Sequence, residues 1–373
     1  MDKKIKVGIV GARGKCMIMG LQNCENVEIA AICDLDEDVL KEISETYNIP
    51  KTYRIYDDML ESDIDAVIVA TPMQYHVMQT LAALEAGKHV MSEVTAGVTM
   101  DELHWLVEAV EKSGKTYMMA ENYCYSPQAQ MIRNMSQAGV FGQLYYAEGE
   151  YLHDIKDLAV YKNGKTSWRS YWQLGTRGCF YPTHSLGPVM KCFPDGKRIT
   201  SVSSFGTGSF TAPEFKQDDT TVTMCTLDGG ELVKVRVDCI SNRPHKMNYY
   251  LLQGTNGAYE APRGLGDDHK VHIKPEDAVY GYKQEWQPLK EYEGLYLPER
   301  YKTATEEQKK TGHEGGDFFI VKDFIDAVAN GTKPYVDVYD AVEWSAVGLL
   351  SNISVQNGGK AMDMPNFRKN QKV

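Results

Sequence analysis

Apolar and polar positions in the first 120 residues follow two alternating periods. Short, nearly continuous apolar runs occur at 4–10 ("KIKVGIV"), 27–34 ("VEIAAICD"), 64–72 ("IDAVIVATP"), 88–93 ("KHVMSE") and 116–122 ("TYMMAEN"). Runs of this length, closed by Gly, Asp or Pro, predict buried strands. Between them, "DEDVLKEISETY", "YHVMQTLAALEAG" and "MDELHWLVEAVEKSG" place apolar residues at helical spacing, with Gly87 and Gly114 where C-terminal caps belong. Strands alternating with helices predict an α/β doubly wound parallel sheet, which binds ligands outside the carboxyl ends of its strands.

Beyond residue 122 the pattern changes. One helical segment, "SPQAQMIRNMSQAG", precedes strand-like runs at 143–153, 199–207, 220–228, 231–239 and 248–261, with a tight hairpin expected at Asp228-Gly229-Gly230. Residues 262–312 are polar and read as loop with a short helix, and two strong helical patterns follow at 317–331 and 339–358. Consecutive strands joined by short turns predict an α+β second domain with an open, mostly antiparallel sheet. The expected division is 1–122 and 123–373.

Composition narrows the function classes. The 373 residues are 43% apolar and 24% charged, an ordinary globular balance. The formal net charge of −11 argues against a nucleic-acid or anionic-membrane partner. No apolar run approaches the roughly 20 residues that span a bilayer. The short N-terminal apolar run reads as a first strand rather than a signal peptide, so a cytoplasmic location is expected. Eight cysteines, at 16, 24, 33, 124, 179, 192, 225 and 239, form no C-x-x-C pair and no zinc-like spacing. They read as buried, reduced thiols, and no metal is expected.

The first strand-to-helix turn is a degenerate dinucleotide fingerprint. Gly11 and Gly14 remain, while Arg13 and Cys16 stand at its second and third glycine places. Its position between a strand and a helix suits a pyrophosphate. Asp34, 20 residues after Gly14, ends the second strand, where an acid accepts hydrogen bonds from a ribose diol. NAD is therefore favoured over NADP, although Arg13 is a group that can receive a 2′-phosphate. Further along, "GCFYPTHSLGP" sets Tyr181 three residues before His184. A phenol and an imidazole held together move protons near neutral pH, or merely pack; the residues alone leave both open.

The chain resembles the glucose–fructose oxidoreductase/inositol dehydrogenase (Gfo/Idh/MocA) family along nearly its whole length. The resemblance rests on "DAVIVATP" followed by His76, "GKHVMSE" with Glu93, "ENYCYSP" and "HEGGDFFIVKDFIDAV…GTKPYVDVYDAVEWSAV". It implies a Rossmann domain, an open antiparallel sheet, and NAD-linked chemistry on sugars or polyols. Two departures stand out. The family's Glu-Lys-Pro is here Glu93-Val94-Thr95, and its Asp-x-Gly-x-His is here Phe180-Tyr181-Pro182-Thr183-His184, so the usual lysine and aspartate are absent. At these places the chain resembles the NAD-dependent glycosidases of glycoside hydrolase family 109, through "SEVTAGVT", "AENYCY", "EGEYLHD", "WRSYWQ…RG" and "YPTHSLGP".

That resemblance implies Tyr181, His184, Tyr151 and Glu121 as catalytic residues. His153 is a further candidate at the sugar, with Trp168, Arg169 and Trp172; the two tryptophans stand four apart, on one face if helical, where indoles either stack on a sugar or pack in the core. The cofactor residues implied are Gly11, Ala12, Arg13, Gly14, Asp34, Ala70, Thr71, Pro72, His76, Glu93 and Asn122. "YPTHSLGP" is expected to start a helix that presents Tyr181 and His184 towards the nicotinamide. Three functions follow as expectations: glycoside cleavage through transient oxidation with bound NAD, plain NAD(P)-dependent dehydrogenation of a sugar or polyol, or a non-catalytic NAD-binding regulator. The substrate expected is a small sugar or glycoside, and the assembly a homodimer or homotetramer. Four polar residues at 121, 151, 181 and 184 together disfavour the regulator.

Overall fold

A computed structural model of the chain describes residues 4–368. It forms two compact units. One contains the chain through Tyr125, Ala304–Ser345 and the chain from Asn366; the other contains Ser126–Thr303 and Ala346–Pro365. The first break follows Tyr125, and a later stretch returns to the first unit. The reason lies in the helix Gly316–Asn330, which buries Phe318, Ile320, Val321 and Phe324 and packs on the helix Lys15–Gln22.

The first unit holds six parallel strands: β1 (Ile5–Val10), β2 (Val27–Cys33), β3 (Lys51–Tyr53), β4 (Ala66–Val69), β5 (His89–Ser92) and β6 (Tyr117–Met119). Their order is β3-β2-β1-β4-β5-β6, a Rossmann arrangement whose order reverses between β1 and β4. β4 is buried at every position, as a strand covered on both faces must be. β3 has no apolar signature because its residues are largely exposed; pairing with β2 creates it. The helix Glu37–Tyr47 starts where the Asp36 carboxylate accepts the N–H groups of Asp38 and Val39. The helix Met100–Ser113 starts in a Thr99–Glu102 capping box and stops at Gly114 in the left-handed region. Each such N-cap stabilises its helix by about 1 kcal/mol.

The second unit is built on nine strands: β7 (Leu144–Leu152), β8 (Ile199–Gly206), β9 (Thr221–Leu227), β10 (Leu232–Asp238), β11 (Lys246–Gly254), β12 (Gly257–Glu260), β13 (Lys270–Ile273), β14 (Gln287–Pro288) and β15 (Met362–Asp363). Their order is β14-β13-β12-β11-β7-β10-β9-β8-β15. Only the β7–β10 pair is parallel among these strands. The run 248–261 is two strands, folded back at Thr255-Asn256. The polar stretch 262–312 contributes β13 and β14 at the sheet edge as well as short helices. On the inner face, Ala147, Tyr250, Leu252, Val233 and Val235 are buried. Against this face packs the helix Thr183–Met190, itself buried throughout. Gly149 permits the approach: a Cβ there would collide with the Ser185 carbonyl. Among the described residues no helix is long and apolar enough to cross a membrane.

Candidate cofactor site and candidate active site

In the first unit the residues expected at a dinucleotide gather at the carboxyl ends of the strands. Gly11 follows β1 with φ +93°, and a Cβ there would stand 2.5 Å from the Ala70 carbonyl oxygen after β4. Only glycine fits this crossing. Ala12–Gly14 form a single 3-10 turn that leads into the helix Lys15–Gln22. Asp34, just past β2, accepts the Ala12 N–H with Oδ2 at 2.8 Å and the Asp36 N–H with Oδ1 at 3.0 Å. The acid that would receive a ribose diol thus also holds the turn that would receive a pyrophosphate.

Thr71, one residue after Ala70, donates its hydroxyl to Gln79 Oε1 at 2.6 Å, and Pro72 then leads into the turn Met73–Tyr75. His76 is buried, with Nδ1 2.8 Å from the Thr95 carbonyl oxygen and Nε2 2.9 Å from that of Thr71. Burial pushes its pKa down, while the two carbonyl contacts oppose the shift. Its two nitrogens are engaged by backbone, so the ring ties the loops after β4 and β5 together. Glu93 follows β5 and accepts the Cys16 thiol at 3.8 Å; the next peptide, Val94–Thr95, is cis. Glu121 and Asn122 follow β6. Glu121 is fully buried and accepts the Tyr123 N–H at 3.3 Å.

In the second unit the sequence-predicted sugar residues form an aromatic cluster. Tyr151 is near the end of β7, two residues beyond Gly149 and on the same face. Its ring lies 5.0 Å from His184 and 5.7 Å from Tyr181, and the Tyr181 and His184 rings are 4.9 Å apart, edge to face. His184 stands in the first turn of Thr183–Met190, where Tyr250 donates its hydroxyl to the His184 carbonyl at 2.9 Å. The Tyr151 hydroxyl lies 2.7 Å from Nδ1 of His153. Burial first, then the neighbouring His245, Arg169 and His184, push the His153 pKa down to about 4. A neutral His153 in its Nε2–H tautomer accepts the phenol proton's hydrogen bond.

The expected Trp168–Trp172 face is shorter than a helical stripe. The helix here is only Arg169–Trp172, with Trp168 at its cap. The Arg169 guanidinium sits 4.5 Å from the Trp168 ring centroid, and its Nη1 donates to Gln173 Oε1 at 2.5 Å. Arg169 thereby belongs with His153, whose titration it influences. Among the described ring contacts of the cluster, Trp172 is not included. Glu121 lies in the first unit, apart in the chain from the other three proposed catalytic residues.

Two histidines were not singled out as site residues from sequence. His245 lies 4.8 Å from His153, ring to ring. Its signal is one of register: Lys246 pairs with Leu152, which sets the preceding residue opposite position 153. His313, inside "HEGGDFF", lies with Asn122 and Asp317 in the first unit.

Comparison with known proteins agrees with both units. Residues 5–121 match the oxidoreductase family, NAD-binding Rossmann fold, and residues 125–373 match the glycosyl hydrolase 109 C-terminal domain. A glycosyl hydrolase family 109 protein of Shewanella pealeana is 31% identical across 98% of this chain and 86% of its own length. One from Stenotrophomonas maltophilia is 28% identical across 98% and 89%. The fold is that of levoglucosan dehydrogenase in complex with NADH, with a TM-score of 0.78, 19% identity and coverage of 98% of this chain and 100% of that one. It is also that of scyllo-inositol dehydrogenase from Lactobacillus casei, with a TM-score of 0.72, 16% identity and coverage of 97% and 99%.

Proposed function

We propose, from the premise that this chain belongs to glycosyl hydrolase family 109, that it cleaves a glycoside by transient oxidation of the sugar at carbon 3 and elimination across carbons 1 and 2. The observation that carries the reading is the presence of two tyrosine–histidine pairs in one cluster, Tyr181 with His184 and Tyr151 with His153. Oxidation of an alcohol calls for one proton acceptor. Elimination next to a ketone calls for a second.

The first unit is an NAD-binding Rossmann domain, and its residues fit the dinucleotide. The close crossing at Gly11 sits at the carboxyl ends of β1 and β4, Asp34 faces the turn with an acceptor, and the buried Oδ1 of Asn122 has no hydrogen-bond partner among the described residues. The turn Gly11–Gly14 would hold the pyrophosphate and Asp34 the adenosine ribose. NAD held there would supply a hydride acceptor and donor for carbon 3 of the sugar.

Tyr181 and His184 take the proton of the 3-hydroxyl. The resulting ketone acidifies the proton on carbon 2, and Tyr151 removes it while handing its own proton to Nδ1 of His153. The group on carbon 1 leaves with a proton, and water adds in its place. Carbon 2 is reprotonated, and the 3-hydroxyl regains its proton as the carbon is reduced. The net reaction is glycoside plus water to sugar plus alcohol, so no NADH accumulates. Arg169, on the Trp168 ring beside His153, orients sugar hydroxyls.

The experiment is turnover of chromogenic aryl glycosides in heavy water. Aglycone release with deuterium at carbon 2 of the freed sugar, and no NADH build-up, is the expected outcome. Aglycone release without deuterium at carbon 2 excludes elimination. NADH accumulating with substrate consumed, and no aglycone, assigns plain dehydrogenation instead.

A further inference from the structure

We propose that His313 and Asp317 are positioning residues that set which atom of the Asn122 side-chain amide faces bound NAD, so that protonation of His313 weakens the hold on the nucleotide. The inference rests on placing Asn122 against the nucleotide and is independent of the glycosidase reading.

Asn122 follows β6, on the carboxyl-end side of the strands, the side on which Rossmann domains bind dinucleotides. Its side chain is 95% buried, with its relative exposure at 5%. The amide nitrogen lies 3.2 Å from Nε2 and 3.3 Å from Nδ1 of His313. Nδ1 of His313 is 2.8 Å from Oδ1 of Asp317, which is itself buried. A carboxylate can only accept, so Nδ1 carries the proton and donates to it. Nε2 of the neutral ring is then a lone pair, and the Asn122 N–H donates to it. That arrangement fixes the amide and leaves Oδ1, buried and without a protein partner among the described residues, as an acceptor for the N–H of a carboxamide or the O–H of a ribose.

Protonation reverses the arrangement. Nε2–H would face the amide N–H₂, two donors against each other. Rotation of the amide by half a turn removes the conflict, turning Oδ1 to the ring and presenting N–H₂ where the acceptor stood. A ligand donor then meets a donor. His313 is built to sit at this balance. It and Glu314 adopt left-handed backbone angles in succession, φ +55° and +60°, which non-glycine residues rarely do. The groups acting on the ring come from four places: Asp317 in the first turn of the helix that follows, Arg13 from the glycine turn, Glu93 after β5, and the Tyr123 ring edge-on at 5.7 Å. Burial alone would push its pKa down, but the hydrogen bond and charge of Asp317 outweigh it and raise the pKa above the ordinary histidine value.

The test is the dissociation constant of NAD from nucleotide-depleted protein, read by intrinsic fluorescence at a series of pH values spanning histidine titration. The native chain should bind NAD roughly tenfold more weakly on the acid side of the transition than on the basic side. His313→Gln should abolish the pH dependence. Asp317→Asn should move the midpoint to lower pH, because it removes the charge that raises it. Asn122→Ala should lower affinity at high pH towards the acid-side value. A flat native profile, or a His313→Gln profile with the native midpoint, overturns the proposal. Unchanged affinity in Asn122→Ala overturns the placement of Asn122 on which it rests. Should His313→Gln fail to fold, an unmoved midpoint in Asp317→Asn overturns it equally.

Discussion

Tyr151 and His153 project from alternate positions of one strand and its extension, and share a hydrogen bond of 2.7 Å between the phenol oxygen and Nδ1. The i, i+2 spacing puts both on the same side of the chain. The β7–β11 pairing then brings His245 against the far side of the imidazole, and burial with these neighbours keeps the ring uncharged. An uncharged imidazole beside a phenol accepts the phenol's hydrogen bond at neutral pH.

Tyr151→Phe is accordingly expected to slow glycoside cleavage by roughly 10²–10⁴-fold, the usual contribution of a positioned acid–base group. NAD affinity should stay at the native value, because Tyr151 and its described partners all belong to the second unit. The comparison to make is aglycone release against NAD binding in the same preparation. Native cleavage rates in the variant would reduce Tyr151 to a packing residue.

Asp34→Ala removes both an acceptor for the ribose diol and the carboxylate that holds the Ala12 N–H. NAD should bind at least tenfold more weakly. NADP should suffer less, since the same change removes an anion that repels the 2′-phosphate. The ratio of the two dissociation constants is the measurement, and an unaltered ratio would mean that Asp34 serves the turn alone.

Stability should fall as the medium is acidified from about pH 6.5 towards pH 4. Burial, first, holds His153 and His269 each to a pKa of about 4, below the ordinary value of 6.5. Between those values the unfolded chain binds more protons than the folded one, so stability rises with pH there and is lost on the way down. His313 has the opposite sign: its raised pKa contributes stability on the acid side that is lost as pH rises through the folded-state value. His269, 2.6 Å from the Tyr259 hydroxyl, is the cleaner probe because it lies outside the site. Denaturant midpoints of His269→Gln should fall less steeply across this window than those of the native protein. An identical slope would show that His269 is not among the groups that set it.

The outer face of the nine-stranded sheet carries polar residues, with Glu148 bonded to Lys234 and Tyr146, and Arg263 half exposed over the Tyr249 ring. Open sheet faces and edges of this kind are commonly closed by a second copy. A symmetric homodimer, or a tetramer built from it, is expected by light scattering at micromolar protein. A monomer at that concentration would count against it.

The sequence by itself determined the elements whose burial is two-sided or strictly alternating. β4 is apolar at every position because both faces of a parallel sheet are covered, and Thr99, Glu102 and Gly114 mark their helix in local hydrogen-bonding terms that need no tertiary context. The candidate residues Tyr151, Tyr181 and His184 were legible through short motifs. Only the tertiary structure decided which groups meet. β3 and β14 lack apolar patterning because they lie at sheet edges, where pairing with a neighbour makes the strand. His245 joins His153 through strand register between residues nearly a hundred positions apart, and His313 reaches Asn122 because the helix Gly316–Asn330 returns to the first unit. Local patterns report how one segment meets solvent and core. Proximity between distant side chains follows from pairing register and helix docking, which are properties of the folded chain as a whole.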